Sequence, residues 1–226
     1  MFENLKKIWS GDDYITKLMS EFKEMLEDSS EMFIDVYEML VEHQEKPTLE
    51  DEVFDLDKRI NQLEKDIRRK IVLHISVQPE KDATANLLFM SVVKDAERIG
   101  DYGKNLYGIK HILAKPIDKD LYQNYFGDMD KKIINMFEGT KKAFLEYDRE
   151  KAVESWKIER EVTKLCDNIV GKIAKSDLDT NTAVAYTLIA RYYKRIAAHL
   201  TNIATSVILP IDDLDYYDEK RKKEIN

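Results

Sequence analysis

The chain is poor in the residues that break or staple a fold. Its 226 residues include 7 glycines, 4 prolines and a single cysteine. One cysteine excludes an intrachain disulfide and a thiolate zinc cage. Cys166 stands on an apolar face beside Leu165 and Ile169, the setting of an inert core thiol. Few glycines and prolines leave little room for frequent turns, and no segment shows the period-two alternation of a half-buried strand. No run approaches the roughly 18 apolar residues of a membrane-spanning helix. The N-terminus shows no secretory signal pattern, so the chain reads as cytoplasmic. An excess of positive charge is missing too. The formal net charge is −8 and the pI near 5.2, which argues against nucleic acid as the main partner, because neutralising phosphates takes a basic surface. Catalytic signatures are also absent: there is no H-E-x-x-H, no G-x-S-x-G and no glycine-rich phosphate loop. None of His43, His74, His111 and His199 follows a glutamate by three residues, so the Glu-x-x-His pairs of di-iron bundles are lacking.

What the chain does have is charge, at 35% of residues, and helical periodicity. Six helices are predicted. The first follows Ser10-Gly11-Asp12, with apolar residues at Ile15, Leu18, Phe22, Met25, Met32, Val36 and Met39, and Ser29 as the missing rung. After Pro47, Thr48-x-x-Asp51 reads as a capping box for a second helix striped by Val53, Leu56, Ile60, Leu63, Ile67 and Ile71. Gln78-Pro79 ends it, Asp82 caps a third, and Pro116 bounds that one. A fourth is expected from about Asp118 to Tyr147, with Leu121, Tyr125, Met129, Ile133, Met136 and Phe144 inward and Gly127 as its point of weakness. The fifth begins near Asp148 and carries Trp156, Val162, Leu165, Ile169 and Ile173. The sixth ends before Pro210.

The layout repeats. The segment 86–110 contains Glu97-Arg98-Ile99-Gly100-Asp101 and then Asn105, while 183–207 contains Lys194-Arg195-Ile196-Ala197-Ala198 and then Asn202. Arg98 matches Arg195, Ile99 matches Ile196 and Asn105 matches Asn202, all at one offset of 97 residues. So long an offset marks two copies of a supersecondary unit. The expected fold is all-α: two tandem antiparallel three-helix bundles, 1–116 and 117–210, with a charged, solvated tail at 211–226. Phe2, Leu5, Ile8 and Trp9 form an amphipathic turn, suited either to a partner or membrane or to packing across a bundle end.

The acidic chemistry survives in one copy only. Glu97 and Asp101 lie one turn apart on a single helix face, where two like charges repel unless a cation neutralises them. Asp95 points about 200° away around the axis and belongs to another face. A hard cation needs a further ligand from another helix. Asp57 on the second helix is the best candidate, with Glu64 two turns on, and Asp57 aligns with Glu159 in the second copy. The candidate metal set is therefore Glu97, Asp101 and Asp57. In the second copy Lys194 and Ala198 replace the two acids, and Lys194 is expected to pair with an acid such as Glu159. His199, in the place of Tyr102, reads as a packed, satisfied histidine.

At Glu97-Arg98-Ile99-Gly100-Asp101, with Asn105 and the weaker echo at Arg195–Asn202, the chain resembles the PhoU family of phosphate-uptake regulators. The resemblance covers nearly the whole length. It implies a cytoplasmic helical protein of phosphate homeostasis, with iron or zinc at the motifs. It also implies regulatory contact with a phosphate transporter or its sensor kinase, so that membrane association comes only through partners. Carried over residue by residue, the metal role reaches Glu97 and Asp101; the second motif has lost its acids. The first reading is thus a non-enzymatic adaptor, homodimeric or not, in which Gly100 lets helices approach and Arg98 pairs across the gap. A metal-dependent carboxylate enzyme of ferritin type and a structural bundle without a bound ion are the alternatives.

Overall fold

A computed structural model describes residues 13–217, and within them every regular element is helical. Seven α-helices follow in order: α1 Asp13–Leu40, α2 Leu49–Val77, α3 Ala83–Gly108, α4 Lys119–Phe126, α5 Met129–Glu146, α6 Arg149–Ile173 and α7 Thr180–Thr205. Single 3-10 turns at Ile109–His111 and Ile211–Asp213 follow α3 and α7. Helices α1, α2 and α3 pack on one another, as do α5, α6 and α7. The two groups meet through α3 against α7 and α1 against α5. Helices α3 and α7 are both 26 residues long and are displaced by the same 97 residues that separate Arg98 from Arg195.

The apolar stripes are what the packing buries. Ile15, Leu18, Phe22, Met25, Met32 and Val36 of α1 are inaccessible, and so are Val53, Ile60, Ile67 and Ile71 of α2. Ser29 occupies its rung by donating its hydroxyl to the Met25 carbonyl at 2.8 Å, which satisfies a buried polar group locally. All seven helices contribute to one continuous core. Its seam between the groups is aromatic: Phe22 meets Phe144 at a centroid distance of 4.6 Å, and Phe33 meets Phe137 at 5.9 Å and Tyr193 at 5.4 Å. Such pairs stabilise by about 0.5–1.5 kcal/mol beyond the area they bury. Tyr122 and Tyr193 share a buried hydroxyl–hydroxyl hydrogen bond of 2.9 Å.

Several expectations are corrected. The fourth helix is two. Gly127 sits at φ 57, ψ −129, a conformation that side chains rarely adopt, and it separates α4 from α5. In α4 Tyr122 and Phe126 are the fully buried residues, while Leu121 and Tyr125 are partly buried and pack against the same core. In α6 it is Cys166 that is buried, while Leu165 is exposed. Thr48 and Asp82 cap nothing with their side chains. Thr48 donates its hydroxyl to Glu52 at 2.7 Å, and the Asp82 carboxylate lies 3.2 Å from His74 Nε2. Asp118, Asp148 and Asp179 do cap, accepting from the backbone N–H of Leu121, Lys151 and Thr182 respectively. The start of the charged tail is only partly solvated: Asp212 and Tyr216 are exposed, but Ile211 and Leu214 lie on the core and Tyr217 packs edge-on against Trp156 at 5.2 Å. Phe2, Leu5, Ile8, Trp9 and the rest of the tail, 218–226, fall outside the described residues.

Candidate functional site

The acidic motif lies in the middle of α3, on the side that faces α2. Gly100 brings these helices together, for a Cβ there would stand 2.9 Å from Ile60 Cδ1. Along α3, Leu87, Met90, Lys94, Glu97, Asp101 and Lys104 follow at steps of three and four and so form one stripe. The facing stripe on α2 carries Asp57, Glu64 and Arg68.

Cations occupy the gaps between these carboxylates. Glu97, mostly buried, accepts from Lys94 Nζ at 2.7 Å, with Arg98 Nε at 3.7 Å. Asp101 accepts from an Arg98 guanidinium nitrogen at 3.0 Å and lies 3.8 Å from Lys104 Nζ. The same Lys104 ammonium donates to Asp57 across the helix pair at 2.7 Å. Glu64, buried, stands 3.0 Å from Arg68 and 4.0 Å from Lys94. Four carboxylates thus meet four cationic side chains, and the like-charge repulsion between Glu97 and Asp101 is relieved from within the chain. Arg98 does this on its own helix, where pairing across the gap was expected.

Sequence reasoning brings Glu97, Asp101 and Asp57 to one face, and the structure places them there. They do not converge on a common point as ligands. Among the described residues no group of three or more His, Cys, Asp or Glu side chains is arranged to hold a metal ion. With Lys94 on Glu97 and Lys104 between Asp101 and Asp57, an iron or zinc ion at these three carboxylates would have to displace both ammonium groups.

In the second copy Lys194 donates to Asp167 at 2.6 Å, where Glu159 was expected as its partner. Glu159 accepts from the Thr163 hydroxyl at 2.7 Å. One turn on from Lys194 on this stripe stands Ala198, where the first copy has Asp101. Cys166 lies behind, 3.6 Å from Met129 Sδ, and burial pushes its thiol up to about 12.

The polar group that sequence reasoning set aside is Asp95. It is buried on the opposite side of α3, where α7 packs. His199 Nδ1 stands 2.7 Å from its Oδ1, and Asn202 Nδ2 donates to the same oxygen at 3.2 Å. The His199 ring stacks on Tyr102 at 5.8 Å. Asp215, from the segment after α7, lies close by; burial, and next the Asp95 charge, push its carboxyl above the usual range. The signal was present in the sequence. Asp95 falls in a column with Leu88, Val92 and Ile99, and an acid within an apolar column must find a partner.

The PhoU domain matches twice, over residues 22–108 and 126–207, one match on each group of helices. The Phosphate-specific transport system accessory protein PhoU homolog 1 of Thermotoga maritima is 28% identical over 167 residues, covering 71% of this chain and 72% of that protein. The phosphate transport system regulatory protein PhoU of Streptococcus pneumoniae superposes with a TM-score of 0.73 at 18% identity, over 85% of this chain and 92% of that one. PhoU of Pseudomonas aeruginosa gives 0.65 at 19% identity, over 92% and 97%. At these identities the solved structures attest the fold, and the double domain match carries the membership: this chain belongs to the PhoU-domain family.

Proposed function

We propose that this PhoU-family chain is a regulator of phosphate transport and not an enzyme, working as a helical adaptor that docks on a phosphate transporter or on its sensor kinase. The observation that carries this reading is the PhoU domain matched on both halves of one duplicated bundle. The curated relative named above is an accessory protein of a phosphate-specific transport system, which supports the same direction. No described helix is long and apolar enough to cross a membrane, so on this reading contact with a transporter runs through protein surfaces. Iron or zinc, implied by the resemblance, enters only by displacing the lysines that hold Glu97, Asp101 and Asp57.

Capture of partners on the tagged chain, from cells grown in rich and in poor phosphate, tests the proposal. The expected result is recovery of transporter or sensor-kinase components in amounts that respond to phosphate supply. Capture that ignores supply, or that yields no transport component, refutes it.

A further inference from the structure

The second copy of the motif keeps two cations whose acids it has lost. In α3 each of them has a carboxylate on its own helix: Lys94 donates to Glu97 at 2.7 Å, and Arg98 donates to Asp101 at 3.0 Å. The counterparts of Lys94 and Arg98, 97 residues on, are Arg191 and Arg195, whereas Glu97 and Asp101 have become Lys194 and Ala198. Helix α7 holds none of the chain's 44 acidic residues. The neighbouring acid of α6, Asp167, is engaged by Lys194 at 2.6 Å. Arg191 and Arg195 are both exposed, and among the described residues neither has an ion pair or a hydrogen bond. Two like charges one turn apart on a helix repel until an opposite charge joins them. In α3 the chain supplies that charge; on the outer face of α7 it does not.

We infer that Arg191 and Arg195 are the docking point for an acidic helical segment of a partner protein, whose carboxylates, one turn apart, stand where Glu97 and Asp101 stand in α3. Three observations select this occupant. The first is charge complementarity set by the repeat itself: the missing groups are two carboxylates at helical spacing, and a guanidinium fork pairs with a carboxylate through two parallel hydrogen bonds. The second is the surface beside the arginines. Val184, two turns before Arg191 on the same stripe, is 44% exposed and offers an apolar contact that a peptide segment uses and a free oxyanion does not. The third is width. The exposed Asp167 flanks the stripe on the α6 side, and α3, packed against α7 on the other side, brings Glu97 and Asp101. A bilayer surface or a duplex broad enough to span these helices would lie against those acids, on a chain of net charge −8; a single narrow segment avoids them. The inference deepens the docking reading and rests on it only for the existence of a protein partner.

The probe is a fluorescent alanine-based peptide of about 16 residues carrying Glu and Asp four apart, long enough to populate a helix in water. Fluorescence anisotropy on the full chain at low salt reads its binding. Wild type should bind it saturably and more weakly as salt is added, and should ignore the same peptide with Gln and Asn in place of the acids. Arg191→Ala/Arg195→Ala, at two exposed positions, should weaken binding about tenfold, the sum of two surface ion pairs. Ala198→Asp, which restores to Arg195 the acid that Arg98 has, should weaken binding with both arginines still in place. Far-UV circular dichroism should be unchanged in both variants. No binding by wild type, or binding indifferent to these substitutions, overturns the inference. So does a ligand other than the peptide that is lost with the two arginines: phosphatidylglycerol vesicles, duplex DNA, inorganic phosphate or, by sedimentation, a second copy of the chain. The two readings fail separately. Peptide binding that follows the arginines, with no transport component captured from cells, would keep this surface and remove the regulatory reading; captured transport components with no peptide bound would do the reverse.

Discussion

Asp95 offers the sharpest energetic test, because a single oxygen of it joins the two halves. Replacing Asp95 with Ala removes the His199 contact at 2.7 Å and the Asn202 bond at 3.2 Å together. A hydrogen bond to a charged group contributes about 1.5–3 kcal/mol, and burying the carboxylate in the native state costs part of that. His199 is about one-fifth exposed and regains water when its partner is gone. The net loss should be about 2 kcal/mol, which at this chain length lowers the melting temperature by about 4–8 °C. A double-mutant cycle isolates the pair: Asp95→Ala, His199→Ala and the double variant, each unfolded in urea at constant pH. The expected coupling is about 1 kcal/mol, well above the ~0.3–0.5 kcal/mol scatter of independent sites. Coupling within that scatter would mean that the junction is held by apolar packing alone and that the Asp95 contacts add nothing.

Gly127→Ala places a side chain at φ 57, ψ −129 and should cost about 1–3 kcal/mol; an unchanged urea midpoint would show that the break between α4 and α5 does not need glycine. Cys166, with its thiol pushed up to about 12, should resist a disulfide reagent at pH 8 in the native protein and react fully in denaturant. Rapid native reaction would contradict its burial. Burial raises the Asp130 carboxyl above its ordinary value. A carboxyl raised on folding contributes stability at low pH that is lost as pH rises through the folded value. Asp130→Asn should therefore gain stability relative to wild type between about pH 4 and pH 7, measured as urea midpoints. A gain that shrinks over that range would reverse the sign of the argument.

Much of the fold is legible in the sequence, for definite physical reasons. The prolines mark the connections, and the stripes of α1 and α2 are steep enough to leave one buried face each. The shared offset of 97 residues matches the spacing of α3 and α7. The break at Gly127 is harder to read. Leu121, Tyr125, Met129 and Ile133 follow at uniform steps of four and imitate a continuous helix, whereas the buried set is Tyr122, Phe126, Met129 and Ile133. Steps of four drift around the axis by about 40° each, so a strict series of them points away from the core. At the acidic motif, Lys94 three residues before Glu97 and Lys104 three residues after Asp101 already place cations on the same stripe. Only the tertiary structure gives Lys104 its second partner, Asp57, on another helix. Asp95 illustrates the opposite case. Excluding it from the Glu97 face is geometrically sound, and its partners became visible only once α7 was laid against α3.

The measurement that bears most directly on the account is the metal content of the purified chain beside that of a Lys94→Met/Lys104→Met variant. If the chain's own cations neutralise the acidic face, wild type should hold iron and zinc far below one ion per chain after dialysis, and the variant should bind divalent metal more tightly. One or more tightly held ions in wild type, lost on Glu97→Ala/Asp101→Ala, would contradict it.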